Sequence, residues 1–320
     1  MSDITEKRVF GDRLGAQEAY VASGAGLVRV RLRADAIGEF ALLDYRPARD
    51  VTARDGTIAV ATAEDLLVGS VAEGSGDGDS PAASDTAQDG EALEATGLGP
   101  AVAVGASATG ISAATPEGRL YRLVDGDWRP IDGPADLAVR AIDGELVATD
   151  RGVYRLGDDS LEPVGLTDVR DVSAREPWAA TASGLYALGN GWMCELEAAV
   201  DVVAVAPAAT AGDQSTVHAG VGSRLLERRV GACTDTNGAG GETDGHSGDV
   251  DGASGDAHHT DGWRSVVDLD APISDVAPGE AGYCYAVTAD GRLHAVGPEG
   301  VRSRSIGVPD LAAVVVRDDS

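Results

Sequence analysis

Residues 179–188 read Ala-Ala-Thr-Ala-Ser-Gly-Leu-Tyr-Ala-Leu. A run of small apolar residues ends at Thr181, a tight turn follows through Gly184, and the return run alternates as a half-buried strand does. This is a β-hairpin. Residues 147–156, Val-Ala-Thr-Asp-Arg-Gly-Val-Tyr-Arg-Leu, keep Thr, Gly and Tyr in the same places. Residues 113–123 and 287–296 keep Thr and Gly with one residue more in the turn, and weaker copies lie at 60–69, 21–30 and 219–229. The hairpin therefore recurs seven times, which is the signature of a repeat architecture.

Outward from each hairpin lie two further elements. Before it comes a short run of small residues, in most copies opened by Asp: Asp50, Asp136, Asp171, Asp201, Asp275 and Asp310, with Pro100 to Ala103 as the copy that lacks it. Small residues suit the crowded strand nearest a propeller axis. After the hairpin comes a bulkier run: Phe40–Tyr45, Leu93–Thr96, Trp128–Ile131, Leu161–Val164, Trp192–Leu196, Trp263–Leu269 and Val301–Ile306. These fit an outermost strand, where there is room for bulk.

No stretch has a helical period of useful length. The expectation is an all-β fold, a seven-bladed β-propeller of four-stranded antiparallel blades, forming one domain over residues 1–320. The chain begins inside a blade and ends on an inner strand. Pairing of the C-terminal strand Leu311–Arg317 with the N-terminal hairpin would close the ring and remove two open sheet edges. Two spacings exceed the rest. Residues 72–91 and 231–262 are Gly, Ser, Thr and Asp tracts, expected as disordered acidic inserts between the third and fourth strands of the second and sixth blades.

The chain has 320 residues with 53 acidic and 25 basic side chains, a net charge of −28. Lys7 is its single lysine. So negative a field repels phosphate backbones and anionic bilayers, so neither nucleic acid nor membrane is expected as a partner. Abundant Asp and almost no Lys resembles the composition of proteins of halophilic archaea, where molar salt screens the self-repulsion to within a few Å. The three cysteines are scattered and odd in number, and no apolar run reaches the length of a membrane helix, so a reducing cytoplasm is the expected compartment.

The stretch Val169-Arg170-Asp171-Val172, followed by Ala180-Thr181-Ala182-Ser183-Gly184-Leu185-Tyr186-Ala187-Leu188, resembles propeller repeats of the T-x-x-G-L-Y kind found in sensor-linked propellers of the WD40 and YVTN type. Together with the opening Glu6-Lys7-Arg8-Val9-Phe10-Gly11-Asp12-Arg13 and the acidity, the chain resembles a haloarchaeal β-propeller family. The resemblance implies the fold and carries over no catalytic residue.

The candidate site is the mouth of the central channel. If the six inner-strand aspartates occupy equivalent positions, they ring one mouth, where carboxylates suit a hard cation or cationic ligand. The competing reading has each Asp accept a backbone N–H at its turn and serve folding alone. Arg140 and Arg170, on or beside inner strands, suit either an anionic ligand or a pairing with nearby Asp. His246, His258, His259 and Cys233 in the second insert fit no zinc spacing, and the chain has no nucleophile elbow, zincin motif or phosphate loop. The expectation is a non-enzymatic binding or scaffold protein without cofactor, whose protein partner docks on the insert-free face. A metal-assisted hydrolase or lyase at the channel mouth is the alternative.

Overall fold

A computed structural model describes residues 15–70, 92–208, 214–231 and 262–317. Most of both acidic inserts, and the segment Glu6 to Arg13, lie outside the described residues. The described residues form 28 strands in seven four-stranded antiparallel sheets, with a single short 3-10 turn, Glu280–Gly282.

Blade 1 joins β28 (Leu311–Val316) to β1 (Gln17–Ser23), β2 (Gly26–Arg33) and β3 (Ala36–Asp44). Blade 2 is β4 (Ala48–Arg54), β5 (Thr57–Thr62), β6 (Leu66–Ser70) and β7 (Glu94–Ala95). Blade 3 is β8 (Ala103–Ser107) to β11 (Asp127–Ile131), and blade 4 is β12 (Val139–Asp143) to β15 (Leu161–Gly165). Blade 5 is β16 (Val169–Ser173), β17 (Trp178–Thr181), β18 (Leu185–Leu188) and β19 (Trp192–Leu196). Blade 6 is β20 (Val202–Ala206), β21 (Ser215–Val221), β22 (Arg224–Val230) and β23 (Arg264–Asp268). Blade 7 is β24 (Ile273–Pro278), β25 (Cys284–Thr288), β26 (Arg292–Gly297) and β27 (Gly300–Ser305).

The second strand of each blade is covered on both faces by neighbouring blades, so it reads as continuous apolar or small residues rather than alternating. All four residues of β17 and all five of β25 are buried. The core accordingly lies between blades. Leu185 and Trp178 of blade 5 pack against Val203, Val217 and Trp263 of blade 6, with the two indoles edge to face at 6.3 Å.

The repeated Thr or Ser has a local task. The Thr181 hydroxyl donates to Gly184 O at 2.9 Å and accepts the Ser183 and Gly184 N–H groups. Thr149 does the same toward Gly152 O at 2.7 Å, and Ser23 toward Gly26 O at 2.7 Å. One side-chain oxygen thus ties shut the tight turns of blades 1, 2, 4, 5 and 7, whereas the Thr115 hydroxyl of blade 3 has no partner and blade 6 carries Val221 there. Gly26 sits at φ +131°, where a Cβ would fall 1.9 Å from Asp44 O, so only glycine passes there.

Ring closure follows the expected route. The last strand, β28, pairs antiparallel with β1 from Ala19↔Val316 to Ser23↔Leu311. Asp310 O accepts the Gly24 N–H at 3.1 Å, and the Tyr285 hydroxyl of blade 7 donates to Ala34 O of blade 1 at 2.9 Å.

Because strands alternate direction, the entry loops of the inner strands and the turns between second and third strands share one face, here the entry face. The remaining turns, including the connections that carry both inserts, lie on the opposite face.

Candidate functional site

The inner strands surround a channel of about 2060 Å³ lined by residues of all seven blades. Five of them carry a β-bulge at the same place, between Ala48 and Asp50, Val139 and Ala141, Val169 and Asp171, Ile273 and Asp275, and Leu311 and Ala313. The extra residue of each bulge is Arg49, Arg140, Arg170, Ser274 or Ala312. A bulge leaves one residue unpaired and re-aims its side chain. Here it delivers three guanidinium groups near the entry-face mouth.

The residue after the bulge is Asp in blades 2, 5 and 7, and its carboxylate spans two blades. Asp171 Oδ1 accepts its own neighbour's N–H, Val172, at 2.8 Å, and Oδ2 accepts Val203 N–H of blade 6 at 2.8 Å. Asp50 joins Val51 to Val104 of blade 3, both at 2.8 Å. Asp275 joins Val276 to Val314 of the closing strand, both at 2.7 Å. These are charge-assisted latches between inner strands. Their receiving blades carry Ala103, Val202 and Ala313 at the corresponding position, so donor and acceptor blades are complementary. Asp143 adds a fourth latch, accepting the Ala174 N–H of blade 5 at 2.7 Å.

The other three aspartates expected in the ring stand elsewhere. Asp136 and Asp310 lie in entry loops ahead of their strands, at φ 58° and 54°, and both are exposed. The positive φ is a turn requirement that Asp tolerates better than most residues. Asp201 immediately precedes β20, where Oδ2 accepts the Gly222 N–H at 3.0 Å and Oδ1 takes Arg170 Nη1 at 2.5 Å. Arg140 pairs with Asp168 Oδ1 at 2.7 Å and donates to Val169 O at 3.1 Å. Both Arg–Asp pairs are partly exposed, which limits each to about 1 kcal/mol. Sequence reasoning missed Arg49, Asp143 and the bulge. The recurrence of Arg one residue before the Asp or Ala, at 49, 140 and 170, was the available signal.

Burial pushes the Asp50 carboxyl up to about 7, and nearby Asp275 adds to this against the two backbone N–H groups. Asp275 is pushed up to about 6 by burial, and Asp171 stands well above the usual carboxylate range for the same first reason. The raised values mark a tier of carboxyls that burial and mutual repulsion hold against ionisation. No three His, Cys, Asp or Glu side chains among the described residues form a metal-ligating group. No helix among them is long and apolar enough to cross a membrane.

With this geometry in place, the comparisons agree with it. A family model described as Beta-prop_HVO_0234-like, beta propeller, matches residues 3–317. The chain belongs to this HVO_0234-like β-propeller family. Among solved structures, the WD40 β-propeller domain of Doa1 is similar at 11% identity and a TM-score of 0.56, covering 94% of this chain and 90% of that one. Apo AztD from Citrobacter koseri is similar at 12% identity and a TM-score of 0.45, covering 92% of this chain and 83% of that one. At such identity the likeness to Doa1 shows the fold alone. A search of curated proteins finds no match.

Proposed function

We propose that this HVO_0234-like propeller is a binding or scaffold module of a halophilic cytoplasm, with a protein partner docking on the entry face. The observation that carries this is Tyr45. It is 80% exposed, the most open large apolar side chain described, and it sits in the loop that leads into Arg49. Both lie on the face free of inserts, Tyr45 just after the outermost strand of blade 1 and Arg49 at the mouth with Arg140 and Arg170. An exposed aromatic that shares a face with guanidinium groups is the residue chemistry that dominates interface hot spots. The carboxylates of the tier, by contrast, have their oxygens engaged by inter-blade N–H groups. That supports a structural task for Asp50, Asp171 and Asp275 and favours recognition at the rim.

The test is tagged protein held in molar KCl in its own cytosol, compared with Tyr45→Ala and Arg49→Glu. A stoichiometric partner lost in both variants, with folding unchanged, supports the reading. A partner retained by both, or no partner after mild cross-linking, refutes it.

A second reading, a metal-assisted hydrolase or lyase, draws on Asp50, a carboxyl pushed to near neutrality beside an open channel, as general acids and bases are. Stoichiometric divalent metal in protein purified from its native salt would favour that reading.

A further inference from the structure

Two buried histidines lie in adjacent blades, and they differ in one respect. In His294 of blade 7 both ring nitrogens are engaged, Nε2 with Thr288 Oγ1 at 3.0 Å and Nδ1 with Ser303 Oγ at 2.8 Å. His218 of blade 6 is 4% exposed, and its Nδ1 is buried with no hydrogen-bond partner. An orphaned polar atom of this kind costs about 1–3 kcal/mol, which an apolar side chain would avoid.

The position of the ring says what it faces. Side chains alternate along β21, and Gly220, on the same side as His218, adjoins Ile273 of blade 7. His218 and Thr216 therefore point toward blade 7. Their cross-strand partners are Glu227 and Arg229. All four line the channel cavity where it opens between blades 6 and 7 toward the opposite face, with Val266 and Val296 as apolar wall. Glu227 stands across from the imidazole but is engaged by Arg264 Nη2 at 2.5 Å.

The chemistry of the cleft follows from these placements. Burial lowers the His218 pKa to about 4, so the ring is neutral and carries one proton. A buried acceptor without a partner is tolerated better than a buried donor. This preference favours the proton on Nε2. The cleft then offers an imidazole N–H, the Thr216 hydroxyl and the Arg229 guanidinium as donors. Glu227 and Arg264 compensate each other, which leaves a single positive charge.

We propose that this cleft binds a small monocarboxylate with an apolar body, its carboxylate on His218 Nε2, Thr216 and Arg229 and its body against Val296 and Val266. One compensating charge matches a monoanion. A dianionic phosphate would carry an unmatched charge into a protein of net charge −28. The site is on the face opposite the proposed partner surface and stands or falls independently of it.

The experiment is a titration of the full chain, labelled with ¹⁵N at histidine, with benzoate at constant KCl, reading the ring nitrogens of His218. Benzyl alcohol and inorganic phosphate are the comparison probes. The expected result is a saturable shift at His218 Nε2 with benzoate only, no change at His294, and at least tenfold weaker binding in Arg229→Gln and in Thr216→Val. Both substituted side chains lie at the rim of the cleft, so folding is retained even if His218→Gln, used for assignment, does not fold. Absence of a saturable shift, an equal affinity in Arg229→Gln, or an equal response to phosphate overturns the proposal.

Discussion

Asp275→Ala tests whether the carboxylates of the channel hold the ring together. Asp275 is the residue that ties blade 7 to the closing strand, through Val276 N–H and Val314 N–H at 2.7 Å each. A hydrogen bond to a charged acceptor contributes about 1.5–3 kcal/mol, so two contribute about 3–6 kcal/mol. Against this stands the cost of keeping the carboxylate ionised. Its pKa is pushed up to about 6 from 3.8, a penalty of about 2 kcal/mol after discounting for its partial exposure to the channel. The net loss expected at pH 8 is therefore about 2 kcal/mol. The sign of the pH dependence follows from linkage. A carboxyl whose folded pKa is raised contributes most below its unfolded pKa, and that contribution declines as pH rises toward 6. The wild type thus gains from Asp275 on acidification, and the substitution costs about 1 kcal/mol more at pH 5 than at pH 8. Denaturant unfolding of both proteins at the two pH values, at one salt concentration, gives the difference directly. Hydrogen exchange at the Val314 amide should accelerate in the variant while the Val203 amide, latched by Asp171, keeps its protection. An equal cost at both pH values, or Val314 exchange unchanged, would refute the latch as described.

Three further outcomes follow from the same geometry. Gly26→Ala places a methyl group on Asp44 O at a φ of +131°, and should cost about 3 kcal/mol or more in a denaturant midpoint measurement. His218, neutral in the fold with a pKa of about 4, contributes stability that is complete above 6.5 and is lost as pH falls toward 4; His218→Gln should remove about 3 kcal/mol of that acid loss in paired unfolding curves. In a Cys233→Ser chain, the exposed Cys194 should react with an aromatic disulfide reagent in the folded state. Cys284, whose thiol burial pushes up to about 12, should react only on unfolding, so two equivalents released at once would contradict the packing between blades 6 and 7.

The contrast between Thr181 and Asp171 shows why one level of this molecule is legible in the sequence and another is not. Thr181 acts within four residues of itself: its hydroxyl closes a turn whose glycine stands three positions on, so the pattern travels intact from copy to copy. Seven such hairpins, five of them closed by the hydroxyl and each followed by an alternating run, are sufficient to specify blade number and strand order, and the pairing of β28 with β1 follows from where the count starts and stops. Asp171 acts across 32 residues, on an amide in the next blade. Only the Arg that precedes Asp50 and Asp171 marks that role locally, because an Asp before an apolar residue is equally the residue of an entry turn. Asp136 and Asp310 are of that second kind, and their positive φ places them ahead of the strand rather than on it. What separates the two is their place relative to a bulge, one inserted residue that changes the register: Asp50 and Asp171 directly follow it, whereas Asp136 and Asp310 precede the strand that carries it. A bulge is visible only once the partner strand is known, since it is defined by two residues standing opposite one. The same limit hides His218: its sequence neighbours are those of an ordinary buried strand, and its unpaired nitrogen exists only because the facing blade brings no partner to it. Features that close within a turn are therefore readable along the chain, whereas the latches, the arginine rim and the cleft arise between blades and become visible only when the ring is assembled.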